Sequence, residues 1–224
     1  MKTYVIIVAG GSGTRFGGPI PKQFLPLAGR PVLMHTIDAF TGFADEIIVV
    51  LPQAHHATWQ QLCQQHDYSV PHRVVTGGDT RFHSVKNALD TITEAHPDAL
   101  VAVHDGVRPL VSRELIGRVM HAAAQGGGAI PVVPVTDSIR HLDANGGSHP
   151  VVRSALRAVQ TPQCFHLNAL MQAYQFPTTN DVTDDAMQFE LLGHSVALVD
   201  GDARNIKITG PADLAIAEML MNNG

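Results

Sequence analysis

The residues best equipped for chemistry lie near the amino terminus. Ala9-Gly10-Gly11-Ser12-Gly13-Thr14-Arg15-Phe16-Gly17-Gly18 follows a strand-like apolar run and leads into Pro21-Lys22-Gln23-Phe24. Glycines at such a turn let backbone N–H groups close around phosphate oxygens, because no Cβ stands in the way. Arg15 and Lys22 add two cations to the same loop. Arginine can fork two phosphate oxygens, and lysine supplies a mobile point charge. The two best-known phosphate loops do not fit. A dinucleotide fingerprint beginning at Gly11 needs glycine where Phe16 stands, and a Walker A loop beginning at Gly13 reaches Gly18 but then meets Pro19 in place of lysine. A glycine turn serving only tight packing is the alternative reading, and packing alone has no use for an Arg and a Lys on the same loop.

Other chemical groups are sparser. Asp105 closes a strand-like run and is the best-placed carboxylate, with a turn or cap residue as its plainer reading. No Ser/His/Asp or Cys/His arrangement for nucleophilic catalysis stands out. The chain has 13 histidines, yet none falls in an HExxH or Cys/His zinc spacing. His55-His56 opens a polar helix and reads as solvated. The two cysteines, Cys63 and Cys164, form no CxxC pair and cannot frame a disulfide scaffold, so reduced thiols and a cytoplasmic setting are expected.

The elements that must position these groups follow from periodicity. Strands are expected at Tyr4–Ala9, Glu46–Leu51, Arg73–Thr76, Leu100–His104, Gly128–Val135, Arg157–Gln160 and Ser195–Asp200. Between them, Trp59, Leu62, Cys63, His66 and Val85, Ala88, Leu89, Ile92 keep i, i+3, i+4, i+7 spacing, which predicts amphipathic helices. Cys63 then faces the core as a small hydrophobe. Strand–helix alternation implies βαβ units, a mostly parallel sheet covered on both faces, and a ligand edge at the loops after the strands. Residues 138–155 break the alternation. Asp143-Ala144-Asn145-Gly146-Gly147 is a hairpin-turn signal between short extended segments with too few apolar residues for a core layer. A protruding β-arm is expected there. A two-stranded arm is marginal by itself, so packing on a partner subunit is the favoured reading and a loose surface hairpin the other. One domain spanning 1–224, with the arm inside it, is the economical count.

The 224 residues suffice for one sizeable core, and 45% hydrophobic against 16% charged residues marks an ordinary globular chain. No stretch of about 20 apolar residues could span a membrane, and no secretory signal is read at the start. A net charge of −5 argues against a general nucleic-acid or membrane-surface binder, while leaving room for a polyanion in a locally cationic pocket.

Together, Gly10-Gly11-x-Gly13-x-Arg15 and Pro21-Lys22-Gln23 resemble the signature of nucleotidyltransferases of the nucleotide-sugar type. Pro-Lys-Gln-Phe is similar to the cytidylyltransferases of 2-C-methyl-D-erythritol 4-phosphate. Gly77-Gly78-Asp79-x-Arg81-x-x-Ser84-Val85, His104-Asp105-Gly106-Val107-Arg108-Pro109, Thr161-Pro162-Gln163, Thr183-Asp184-Asp185-Ala186 and Asn205-Ile206-Lys207-Ile208-Thr209 agree in order, from residue 4 to about 218. Two departures occur: Ala9-Gly10-Gly11 where the family often has Ala-Ala-Gly, and Gly106-Val107 where it often has Ala-Ala. Ala-Gly-Gly also occurs in the related ribitol 5-phosphate cytidylyltransferases.

The resemblance implies an α/β, Rossmann-like three-layer nucleotidyltransferase fold with a mixed, mostly parallel sheet and the β-arm. It implies transfer of CMP from CTP to 2-C-methyl-D-erythritol 4-phosphate, giving 4-diphosphocytidyl-2-C-methyl-D-erythritol and pyrophosphate in non-mevalonate isoprenoid biosynthesis, with Mg2+ bridging the triphosphate. Arg15 and Lys22 would stabilise the transition state. Ala9, Gly10, Gly11, Gly13, Gly78, Asp79 and Ser84 would contact the nucleotide. Asp105, Arg108, Thr136, Arg153, Thr183 and Lys207 would hold the acceptor, with Arg153 serving the neighbour's site if the arm makes a homodimer. For Asp79 a plain loop position, for Ser84 a helix-face hydroxyl, and for Thr183-Asp184-Asp185 a helix N-cap are the structural alternatives. Ribitol 5-phosphate is the alternative acceptor, and a nucleotide-binding regulatory protein without turnover the remoter alternative.

Overall fold

The computed structural model describes residues 1–10, 20–93, 96–176 and 183–222. Among these, the main sheet has eight strands: β1 (Thr3–Val8), β4 (Glu46–Leu51), β5 (Arg73–Thr76), β6 (Leu100–Asp105), β7 (Gly128–Pro134), β10 (Arg157–Val159), β11 (Gln163–His166) and β12 (Ala197–Asp200). Two short hairpins lie outside it, β2–β3 (Pro26–Leu27 with Arg30–Pro31) and β8–β9 (Ile139–Leu142 with Ser148–Val151). The helices are α1 (Val32–Ala39), α2 (His56–Gln65), α3 (Arg81–Asp90), α4 (Arg113–Gly126), α5 (Leu167–Ala173), α6 (Asp185–Glu190) and α7 (Pro211–Asn222).

β1 reads Thr-Tyr-Val-Ile-Ile-Val because it is buried on both faces between β4 and β6, parallel to each. Its residues alternate between two cores. Val5 and Ile7 join Ile47, Val49 and Ala102 under α1, α2 and α4. Tyr4 and Ile6 join Ile48, Val50 and Val101 under α3, α5 and α6. That division is the three-layer arrangement expected from the sequence. The alternation also explains the helices, since Trp59 of α2 and Val85 and Leu89 of α3 supply the opposing apolar stripes. Cys63 packs half-buried against the first core, and burial raises its thiol. Cys164, fully buried, is pushed up to about 12 by desolvation. Neither thiol is poised as a thiolate.

Glu46–Leu51 and Arg73–Thr76 match the predicted strands, the other five differ by one or two residues at their ends, and one strand of the main sheet was unforeseen, as was the short β2–β3 hairpin. Gln163–His166 carries only two apolar residues after Pro162 and shows no clear alternation, so its sequence resembles a loop. It nevertheless lies antiparallel between β6 and β7. β10 continues the same edge beyond the cis Thr161-Pro162 bond, pairing Val159 with Val132. β12 takes the opposite edge of β7, in parallel. The sheet is therefore mixed, with β10 and β11 running against six parallel strands.

The carboxyl ends of β1, β4 and β6 come together at one edge. Ala9 N–H donates to the Val50 carbonyl at 2.9 Å, Gly77 N–H to Leu51 at 2.9 Å and Gly106 N–H to Val8 at 2.8 Å. A Cβ on Gly106 would lie 2.8 Å from that of Ala9, so the closeness of these turns depends on glycine there. Residues 139–151 form the expected hairpin, with Gly146 at φ +85° in its turn and Arg153–Ala155 making a 3-10 turn beyond it.

Candidate active site

Two adjoining clefts open along this edge. The first is lined by the end of β1 (Val8 to Gly10), by Lys22 and Gln23, by the Gly78–Arg81 turn with Ser84, and by Asp105, Val107 and Lys207. The second runs over Arg108, Val159 to Thr161, Gln163, Thr183 and Asp184. Arg81, Asp105 and Lys207 line both. In the first cleft Lys22, Arg81 and Lys207 stand against Asp79 and Asp105, and in the second Arg81, Arg108 and Lys207 stand against Asp105 and Asp184. Lining cations thus outnumber lining carboxylates three to two in each, in a chain whose net charge is −5, with the Asp185 carboxylate behind Arg81. That is the setting a polyanion requires.

Lys22 is placed by its neighbours. Lys22–Phe24 forms one 3-10 turn. Gln23 is buried and donates from Nε2 to the Ala9 carbonyl at 2.9 Å, tying the turn to β1. Phe24 is buried and stacks on Trp59 at 6.0 Å between centroids. Pro-Lys-Gln-Phe is thus a short clamp with one cation on the cleft.

The Gly77-Gly78 turn is equally constrained. A Cβ on Gly78 would lie 2.3 Å from the His83 Cβ, which only glycine avoids. Ser84 lines the cleft, but its Oγ accepts from the Gly78 N–H at 3.1 Å, so the hydroxyl also holds the turn. Thr80 caps α3 by accepting from the His83 N–H. The helix therefore begins at the cleft, where its free N–H groups favour an anion. Arg81 reaches from that first turn to Asp185, Nη2 to Oδ2 at 2.6 Å, while the Tyr174 hydroxyl donates to Oδ1 at 2.6 Å. Burial works against the Arg81 charge, but the Asp185 carboxylate more than offsets it and the guanidinium stays charged.

Asp105 sits at the junction of the clefts. Its Oδ2 accepts from Arg108 Nε at 3.1 Å and from Lys207 Nζ at 3.0 Å. Burial alone would raise this carboxyl, but the charges of Lys207, Arg81 and Arg108 outweigh it and hold the group well below the usual carboxylate range. Arg108 also donates from Nη1 to the Asn205 carbonyl at 2.8 Å, and the Asn205 amide donates to the Thr161 carbonyl at 2.8 Å. Ile208 N–H donates to Val107 at 2.9 Å, and Asp213 accepts from the Thr209 and Gly210 N–H groups. Lys207 is therefore held in a segment pinned on both sides.

Behind Asp105 lies a buried relay. Its backbone N–H donates to Thr161 Oγ1 at 3.1 Å, and Thr161 Oγ1 lies 2.9 Å from His104 Nδ1. His104 Nε2 lies 3.1 Å from the Arg108 carbonyl. A carbonyl only accepts, so Nε2 carries the proton and the Thr161 hydroxyl donates to Nδ1. Burial agrees with this neutral form, lowering the His104 pKa to about 4.

The structure thus brings Ala9, Gly10, Lys22, Gly78, Asp79, Ser84, Asp105 and Lys207 to the first cleft, and Arg108 and Thr183 to the second. Gly11, Gly13 and Arg15 lie outside the described residues. Arg153 and Thr136 line neither cleft of their own chain; the Arg153 guanidinium donates to the Thr136 carbonyl at the foot of the β8–β9 hairpin. Asp184 is the N-cap of α6, accepting from the Met187 N–H at 3.0 Å, so the capping reading of Thr183-Asp184-Asp185 holds while Thr183 still faces a cleft. Sequence reasoning did not single out Gln23, Arg81, Thr161 or Asn205 as site residues. All four stand inside the quoted motifs, and that is the signal that could have marked them.

The profile of the 2-C-methyl-D-erythritol 4-phosphate cytidylyltransferase family matches residues 3–223. The chain belongs to this family. A Phocaeicola vulgatus protein named 2-C-methyl-D-erythritol 4-phosphate cytidylyltransferase is 49% identical over 223 residues, covering 99% of this chain and all of its own. The crystal structure of the Thermus thermophilus protein of that name superposes with a TM-score of 0.79 at 36% identity, covering 99% of this chain and 100% of its own. That of 4-diphosphocytidyl-2C-methyl-D-erythritol synthase from Anaerococcus prevotii gives 0.82 at 28%, covering 99% and 96%. The chain is therefore an enzyme, a cytidylyltransferase, and its family favours methylerythritol 4-phosphate over ribitol 5-phosphate as acceptor. Among the described residues no helix is long and apolar enough to cross a membrane.

Proposed function

We propose that this chain transfers CMP from CTP to 2-C-methyl-D-erythritol 4-phosphate, with CTP in the first cleft, the acceptor entering from the second, and the two phosphates meeting beside Asp105, Arg81 and Lys207. The observation that carries this reading is the sharing of those three residues by two cation-lined clefts at the carboxyl edge of the sheet.

A nucleoside triphosphate carries roughly four negative charges and a phosphate monoester up to about two near neutral pH. Their approach is first an electrostatic problem. The attacking phosphate oxygen is already ionised, so no general base is needed, and His104 is spent on the fold, neutral and buried behind Asp105. Catalysis then rests on alignment and on charge placed at the α-phosphorus. Lys22, with Arg15 from the same glycine loop, stabilises the five-coordinate phosphorus as the P–O bond to pyrophosphate breaks. Lys207, oriented by Asp105, and Arg108 draw in the acceptor phosphate, and Thr183 offers it a hydroxyl. The Gly78 turn, Asp79 and Ser84 border the nucleotide.

Asp105 and Asp79 are hard oxygen donors on the first cleft, which suits Mg2+. Lys207 and Arg108 already occupy Asp105 Oδ2, so this carboxylate would hold the ion through water. The metal would neutralise triphosphate charge. Arg153, which lines neither cleft of its own chain, acts in a neighbour's acceptor site when two chains pair through the β8–β9 hairpin. The free thiols Cys63 and Cys164 suit a cytoplasmic setting.

Incubation with CTP, Mg2+ and either polyol phosphate tests the reading. Pyrophosphate release with the methylerythritol substrate, and little with ribitol 5-phosphate, is expected. Release with neither, beside an active control enzyme, refutes it.

A further inference from the structure

The tip of the β8–β9 hairpin carries a cluster that the transfer reaction does not use. The strand register sets His141 directly opposite His149, so both side chains leave the same face of the ribbon. The rings stack with centroids 4.7 Å apart and planes at 26°. Asp143, two residues beyond His141, comes to the same face. Its Oδ1 lies 3.1 Å from His149 Nδ1 and 3.5 Å from His141 Nδ1. One ligand atom from each of the three residues falls within 4.8 Å of the others. The turn fixes Asp143, whose N–H donates to the Gly147 carbonyl at 2.8 Å while its carbonyl accepts from Gly146 at 3.0 Å.

We propose that His141, Asp143 and His149 form a binding site for a divalent transition-metal ion of the zinc class. Two imidazole nitrogens and one carboxylate oxygen suit Zn2+, Co2+, Ni2+ or Cu2+, whereas Mg2+ and Ca2+ prefer oxygen donors alone. Zinc bonds of about 2.0–2.2 Å imply tetrahedral donor-to-donor edges of about 3.3–3.5 Å. The two histidine-to-aspartate separations already approach this. The remaining histidine-to-histidine edge closes by rotation of exposed rings, whose side chains are 62% and 59% accessible. Three protein ligands leave a fourth position for water or a group from another molecule. The ion cross-links both strands and the turn. A lone two-stranded hairpin is marginal, so binding makes its order depend on the metal. The spacing His-x-Asp-x5-His matches no common zinc motif, which is why the cluster appears only once the hairpin is paired.

The test is equilibrium dialysis of the full chain against Zn2+ alone, with Mg2+ in excess as competitor, and hydrogen exchange of residues 139–151 with and without zinc. One zinc per chain is expected, together with slowed exchange across the hairpin. His141→Ala and His149→Ala should each weaken binding about tenfold or more, and Asp143→Asn should weaken it too. Co2+ bound at the site should show the visible absorption of a tetrahedral ion and lose it in the His141→Ala/His149→Ala protein. None of these residues belongs to either core, so circular dichroism and thermal melting should be unchanged in the variants and certify their folding. Equal zinc affinity and stoichiometry in wild type and the double variant, or hairpin exchange indifferent to zinc, overturns the proposal. If the double variant fails to fold, the same comparison with Asp143→Asn decides.

Discussion

Substituting Asp105→Asn keeps the shape of the junction between the clefts and removes its charge. Two charge-assisted bonds lose their anion: Arg108 at 3.1 Å, whose side chain is 11% accessible, and Lys207 at 3.0 Å, whose side chain is 43% accessible. Bonds to charged groups contribute about 1.5–3 kcal/mol and neutral ones about 0.5–1.5 kcal/mol, so each bond weakens by roughly 1 kcal/mol. Solvent screening discounts the Lys207 bond, but the nearly buried Arg108 is left short of a counter-charge. A net loss of about 2 kcal/mol follows, which lowers Tm by about 4–8 °C in a chain of this size. The pH dependence has a definite sign. The Asp105 carboxyl lies below its ordinary 3.8 in the folded state, so its stabilisation is complete above about pH 4 and is lost as pH falls below that value. The gap between wild type and variant should stay constant at neutral pH and close in strong acid. In activity, a Lys207 no longer oriented should raise KM for the polyol phosphate about tenfold, equivalent to about 1.4 kcal/mol. Thermal melts from pH 3 to 8 and steady-state kinetics with each substrate varied provide the measurements. An unchanged Tm with an unchanged acceptor KM would refute the reasoning.

Lys22→Ala, and separately Arg15→Ala, should lower kcat by about 10²-fold or more, the scale for removing one preorganised transition-state donor; steady-state kinetics showing a change confined to KM would contradict the role. An Arg153→Ala subunit mixed with a Lys22→Ala subunit should recover activity in verified heterodimers if Arg153 serves the neighbouring site, and no recovery means that it does not. Burial lowers His104 from 6.5 to about 4, so the unfolded chain takes up its proton first as pH falls. Stability should drop by up to about 3 kcal/mol between pH 6.5 and 4, and His104→Gln should flatten that part of the denaturation profile; an unchanged slope rejects the neutral buried histidine.

Much of this molecule was legible before folding. The β1 run is apolar at every position from Tyr4 to Val8 because both sheet faces are covered, and the 3.6-residue stripes of α2 and α3 answer it. Glycine at 78 and the clamp around Lys22 are local devices, written within a few residues of the groups they serve. The hairpin announced itself through Asp143 to Gly147 in the same way. Such features depend on neighbours in sequence, so composition and spacing reveal them.

Other features were settled only by long-range contact. Gln163–His166 has no strand pattern of its own and becomes β11 because β6 and β7 leave a slot whose backbone groups must be paired. Arg81 meets Asp185, and Lys207 meets Asp105, across about a hundred residues of chain. His141 finds His149 only through the register of two strands. No local propensity encodes these meetings. They arise because buried charges and backbone polar groups must find partners, and only the complete packing decides which partners are within reach.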